Sequence, residues 1–173
     1  MSFFRHAAAV MVVGISLPAY AAGTHDAGHG ARIGYEGVRE DASTTVEVIM
    51  TDNHFHPPSM RFKEGETVRF IIVNDGELVH EFAIATPEMH AEHRQEMIQM
   101  MHAGVLEPDR INYELLGYGA SGLRHDHANG ALLEPGDAAE VIWTFDTHAS
   151  VEIACNVPGH YESGMVASIA LSH

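Results

Sequence analysis

The chain has 173 residues and a single cysteine, so no disulfide can form within it, and the fold must rest on a packed core. Basic residues are scarce: 9 Lys and Arg stand against 24 Asp and Glu, a formal charge of −15. That balance excludes a nucleic-acid-binding surface and repels anionic lipid. Long apolar runs are missing as well. The run Ala7–Leu17 falls short of the roughly 20 residues a membrane-spanning helix needs, and nothing later approaches it. With Arg5 before it and Ala19-Tyr20-Ala21 after it, this run has the pattern of an export signal over residues 1–21. Cleavage would leave about 150 residues, enough for one domain with its own core. It would also leave 8 basic residues against 24 acidic ones, a charge of −16. Such a surface favours cations or a basic protein partner, and equally keeps an exported protein soluble.

Export sharpens the question of the lone thiol. An unpaired cysteine in an oxidising compartment is a liability unless it is reactive, cross-linked or bound to a metal. Here it lies in Ala154-Cys155-Asn156-Val157-Pro158-Gly159-His160-Tyr161-Glu162-Ser163-Gly164-Met165. Thiolate, imidazole and thioether at that pitch are the donor types of a blue-copper-like centre, with Met165 as a weak axial ligand. A second imidazole must come from elsewhere, and His80, in Asn74-Asp75-Gly76-Glu77-Leu78-Val79-His80-Glu81-Phe82, is the candidate. Pro158-Gly159 turns the chain so that His160 points back, and Gly164 lets the backbone place Met165.

Residues 22–43 are rich in Gly, Ala and polar groups and read as a mobile, His-containing tail. Alternating apolar residues predict a strand at Thr44–Thr51, and β-like runs between turn signals predict strands at Ser59–Lys63, Thr67–Val73, Glu81–Ala85, Ala138–Phe145, Ser150–Ala154 and Met165–Leu171. His54-Phe55-His56-Pro57-Pro58 reads as a loop, because consecutive prolines do not serve a central strand. Thr86 as a cap, Pro87 in the first turn and Gly104 as a stop predict a helix from Pro87 to about His102. Residues 105–131, broken by four glycines, read as irregular. The fold class is all-β: an antiparallel Greek-key sandwich or barrel over residues 44–173, with a helix-containing insertion at about 86–131.

The segments Asn74–Phe82 and Cys155–Met165 resemble the cupredoxins, and the spacing on both sides of His160 is most similar to rusticyanin and auracyanin. The resemblance covers roughly residues 44–85 and 132–173. It implies a Greek-key β fold, one copper, outer-sphere electron transfer and the ligand set His80, Cys155, His160 and Met165. One position departs from the pattern. Azurin-like members often carry Asn after the first His ligand, tying the two ligand segments together, whereas this chain has Glu81. Multicopper oxidases and copper nitrite reductases place His beside the equivalent Cys. Here the neighbours are Ala154 and Asn156, so no enzyme activity is expected.

Beyond these four residues, the chain after the leader carries eleven His and six Met. On a helix, Met89, His90, His93, Met97, Met100 and Met101 fall within an arc of about 120°. Accessory copper binding, buried packing and an exposed docking patch all fit that stripe. His54 with His56, and His125 with His127, read as solvated loops ahead of metal sites. His25 and His29 lie in the tail, and His148 has no motif around it. A Met/His-rich insertion with an acidic, His-bearing tail resembles the periplasmic copper-tolerance cupredoxins. Expected partners are copper ions and a periplasmic redox or copper-handling protein. The alternative function is a dedicated electron carrier between periplasmic redox partners.

Overall fold

The computed structural model describes residues 32–117 and 127–172. The leader, His25, His29 and His125 lie outside the described residues. Ten strands form two five-stranded sheets. In chain order they are β1 (Tyr35–Glu36), β2 (Thr44–Thr51), β3 (His54–His56), β4 (Ser59–Lys63), β5 (Thr67–Asn74), β6 (His80–Ala85), β7 (Gly130–Leu133), β8 (Ala138–Thr144), β9 (Glu152–Ala154) and β10 (Val166–Ser172). The first sheet runs β1-β8-β5-β2-β3 and the second β4-β10-β9-β6-β7.

Strand β5 shows why the sheets stack. Its residues alternate strictly, with Val68, Phe70, Ile72 and Asn74 buried and the intervening side chains less so. Phe70 meets Phe82 of the opposite sheet at 5.2 Å between ring centroids and Phe62 edge-on at 5.8 Å. Phe145 stacks on Phe62 at 5.1 Å. These four rings join the two sheets across the core.

The second sheet is covered on both faces at β6. All six residues of β6 are buried, although a strand alternates sides. Phe82 and Ile84 face the sandwich core, so Glu81 and its alternate neighbours face outward, under helix α1 (Pro87–His102). That helix forms where expected. The Thr86 hydroxyl accepts from Met89 N, Pro87 occupies the first turn, and Gly104 adopts φ 72° just past the end. Its buried residues are His90, Met97 and Met100. No helix among the described residues is long and apolar enough to cross a membrane.

Four sequence expectations need correction. Two strand pairings are parallel, β2 with β5 and β4 with β10, so the sandwich is mixed rather than antiparallel throughout. The second half of the presumed tail folds: β1 pairs with β8, and Trp143 Nε1 donates to Ile33 O at 3.0 Å. His54–His56 is an edge strand on β2, with the prolines just beyond it, where a missing N–H does no harm. The stretch 105–131 contains α2 (Tyr113–Gly117) and β7, whose Ala131 and Leu132 pair with Phe82 and Glu81.

The ring cluster sets the stability of the sandwich. Phe70→Ala should cost about 3–5 kcal/mol, read as a lowered urea midpoint of the metal-free protein.

Candidate metal centre

Two loops bring donors to one end of the sandwich. The first runs from β5 to β6. Asn74, fully buried, donates from Nδ2 to the carbonyls of Leu78 (2.8 Å) and Leu133 (2.9 Å) and accepts Gly76 N at 3.1 Å. Asp52, just after β2, accepts the amides of Glu77 (3.0 Å) and Leu78 (3.3 Å). The loop is thereby clamped from both sides, and it delivers His80 at the first position of β6.

The second loop joins β9 to β10. Cys155 N donates to Met165 O at 3.2 Å, so its ends are paired like the strands that continue them. Inside it, His160 N donates to Val157 O and Met165 N to His160 O, both at 3.0 Å. Gly164 supplies the turn at φ 91°, a conformation a side chain would resist. Cys155 and Met165 are fully buried.

The donors converge. Cys155 Sγ lies 3.3 Å from His160 Nδ1 and 4.0 Å from His80 Nδ1, and the two Nδ1 atoms are 3.1 Å apart. His80 Nε2 faces Asp52 Oδ1 at 3.0 Å. With its proton held on Nε2 by that carboxylate, His80 turns its Nδ1 lone pair toward the sulfur. Burial lowers the pKa of His80, against the pull of Asp52. Burial and the neighbouring His80 lower that of His160. Both rings are therefore neutral near pH 7, the form that ligates metal. For Asp52, burial opposes ionisation, but His80 and the two amides outweigh it and hold the carboxyl below its usual range.

Burial pushes the Cys155 thiol far up, with the Glu81 charge adding to it. A thiolate there needs a cation beside it. Two neutral imidazoles and a buried sulfur within ligand distance of one point suit a soft-to-borderline ion such as copper. Asp52 was missed in the sequence because nothing in its local pattern marks it. Gly76 was the available signal: a Cβ there would sit 2.5 Å from Asp52 Oδ1 and 2.9 Å from His80 Nε2.

Glu81 does the tying expected of Asn. Its amide donates to Cys155 Sγ at 3.3 Å, and its Oε2 accepts from Asn156 N (3.1 Å) and Nδ2 (2.7 Å). Its Oε1 faces His93 Nε2 at 2.9 Å. Helix α1 grips the ligand loop elsewhere too. His90 Nδ1 meets the Asn156 amide, and the Arg94 guanidinium stacks over Tyr161 at 4.2 Å. The Met/His stripe thus divides. His90, Met97 and Met100 are packed inside, Met101 is exposed, and His93 joins a carboxylate pair. Met89 is half-buried against the core, so the six side chains lie in different surroundings.

A family model described as copper binding proteins, plastocyanin/azurin family, matches residues 42–172. The chain belongs to this family. Copper is accordingly its cofactor, and the cupredoxin fold is the one seen. The chain is 39% identical over 152 residues to the copper-resistant cuproprotein CopI of Pseudomonas aeruginosa, across 83% of this chain and 84% of that one. It is 32% identical over 151 residues to a copper-resistant cuproprotein CopI of Rubrivivax gelatinosus, across 87% and 79%. Among solved structures, auracyanin B aligns with a TM-score of 0.58 at 20% identity, over 83% of this chain and 99% of that one. Reduced auracyanin from Roseiflexus castenholzii gives 0.55 at 19%, over 76% and 99%. At those identities the structural likeness concerns the fold.

Two outcomes test this geometry. Gly76→Ala should push Asp52 off His80 and weaken copper binding by about 10–100-fold, measured by competition with a chelator. The second concerns His93. Burial would lower its pKa, but Glu81 and then Glu96 outweigh that and raise it from 6.5 to about 9. A raised folded-state pKa means stability that is whole below about 6.5 and lost as pH rises through about 9. Urea midpoints of the metal-free protein should fall across that window, and His93→Gln should flatten the slope.

Proposed function

We propose that this cupredoxin is an exported, periplasmic protein of copper tolerance with one redox-active type 1 centre, ligated by His80, Cys155, His160 and Met165. The observation that carries the reading is the convergence of Cys155 Sγ with the Nδ1 atoms of His80 and His160, all buried or half-buried, at the loop that ends at the buried Met165. When bound, copper supplies a one-electron couple. The chain would contribute a donor set that suits both oxidation states, with Met165 as a weak thioether donor. Asp52 and Glu81 orient the donors from behind. Rigid support of this kind keeps rearrangement between the two states small.

Cys155 is flanked by Ala154 and Asn156, and neither offers an imidazole to relay electrons toward a second copper. The protein accordingly acts as a binder and redox partner rather than as an enzyme. The residue 1–21 leader pattern supports export. The tolerance reading draws on relatives whose name is copper-resistant cuproprotein.

A dedicated electron carrier is the second reading, favoured by His160, a ligand candidate whose residue is only half-buried and thus offers a way in for electrons. The acidic surface would steer such a carrier to a basic partner. The two readings part in the cell. Deleting the gene should make cells copper-sensitive, and wild type but not Cys155→Ser should restore growth. The purified oxidised protein should show an intense sulfur-to-copper absorption band that Cys155→Ser abolishes. Normal growth of the deletion strain on high copper would overturn the tolerance role, whereas a missing band would overturn the type 1 assignment.

A further inference from the structure

We propose a second metal site, for Cu(II) and more weakly Zn(II), built from His93, Glu96 and His127. One donor atom from each lies within 4.8 Å of the others. His93 and Glu96 are three residues apart on α1 and so share a face, and His93 Nδ1 lies 2.7 Å from Glu96 Oε2. His127 comes from the segment entering β7 and sets its ring at 89° to that of His93, with centroids 5.3 Å apart.

What lifts this group above a chance surface cluster is the support behind it. His93 Nε2 is held by Glu81 Oε1 at 2.9 Å, and Glu81 is 1% exposed. A ligating histidine characteristically gives its other N–H to a carboxylate, which fixes the tautomer and aims the free nitrogen. Here that leaves Nδ1 to face Glu96. The local charge points the same way. Without metal, His93 carries a proton between two carboxylates. A divalent ion can take the place of the Nδ1 proton, which leaves to solvent, and it suits the two acids better than one proton does.

The donor chemistry selects the ion. Two imidazoles and a carboxylate lack a soft sulfur and so do not favour Cu(I). They suit Cu(II), with Zn(II) below it in affinity. The buried methionines of α1 take no part, since Met97 and Met100 are packed in the core.

The site makes no use of Cys155, His80, His160 or Met165, so it stands or falls apart from the type 1 centre. The test is titration of the full-length protein with Cu(II), following the sulfur-to-copper band and electron paramagnetic resonance together. Wild type should bind a second equivalent with an ordinary tetragonal signal while the band stays unchanged. His127→Ala, just before β7, and Glu96→Gln should each weaken that second step. The loss should be at least the ~10–100-fold of removing an outer-shell partner. Both variants should keep the band. Zn(II) calorimetry on Cys155→Ser should give an exothermic site that His127→Ala removes. A wild type that takes up a single equivalent would overturn the proposal. So would a second equivalent that His127→Ala leaves intact.

Discussion

The backbone amide of Glu81, aimed at Cys155 Sγ from 3.3 Å, is the contact on which the centre depends. It joins the strand bearing His80 to the loop bearing the other candidate ligands, and the carboxylate of the same residue repeats the link by accepting two N–H groups from Asn156. A buried sulfur that would otherwise resist ionisation gains a dipole, and two segments far apart in the chain gain a common register. The charge of Glu81 is costly where it lies. Three donors offset it, two from Asn156 and one from His93, and breaking any of them would leave a buried acid underpaired.

That arrangement gives the insertion a structural meaning. Helix α1 lies over the outer face of β6, touching that strand at one point and the ligand loop at two. His93 holds Glu81, His90 meets Asn156, and Arg94 lies over Tyr161. Orientation of the loop therefore depends on a helix that contributes none of the four candidate ligands. The methionines beneath it fill space between helix and strand, a role their flexible, polarizable side chains perform well.

Much of this was legible in the sequence, for identifiable reasons. The β-branched and aromatic run Thr67–Val73 revealed β5, since such side chains suit a pleated, packed surface. Thr86, Pro87 and Gly104 bounded α1 through local capping chemistry. The spacing of Cys155, His160 and Met165 pointed to the centre, because donors on one loop carry their geometry in their separation. What escaped notice was set by distance. Asp52 and His80 meet across 28 positions, and neither has a neighbour that announces the other. The parallel pairing of β2 with β5 leaves no turn signature, and Ile33 is packed in the core and held by the Trp143 indole from 110 positions away. Glu81 looked like a departure from the Asn pattern. Its amide and its longer carboxylate do the same linking by another route.

The pairing of Cys155 with Met165 across the mouth of their loop has a further consequence. Because β9 and β10 run antiparallel right up to that point, residues 156–164 leave from a closed neck and carry none of the sandwich's own ladder, and beyond the neck Asn156 is anchored to Glu81 and Tyr161 to Arg94. Spacers before or after His160 can therefore lengthen or shorten at an entropic cost of only about 0.6 kcal/mol per doubling. The barrel-like frame would be left as it was. A replacement stretch that keeps those anchors is an interchangeable part: evolution, or an engineer, can retune the metal's surroundings by swapping one short length of chain.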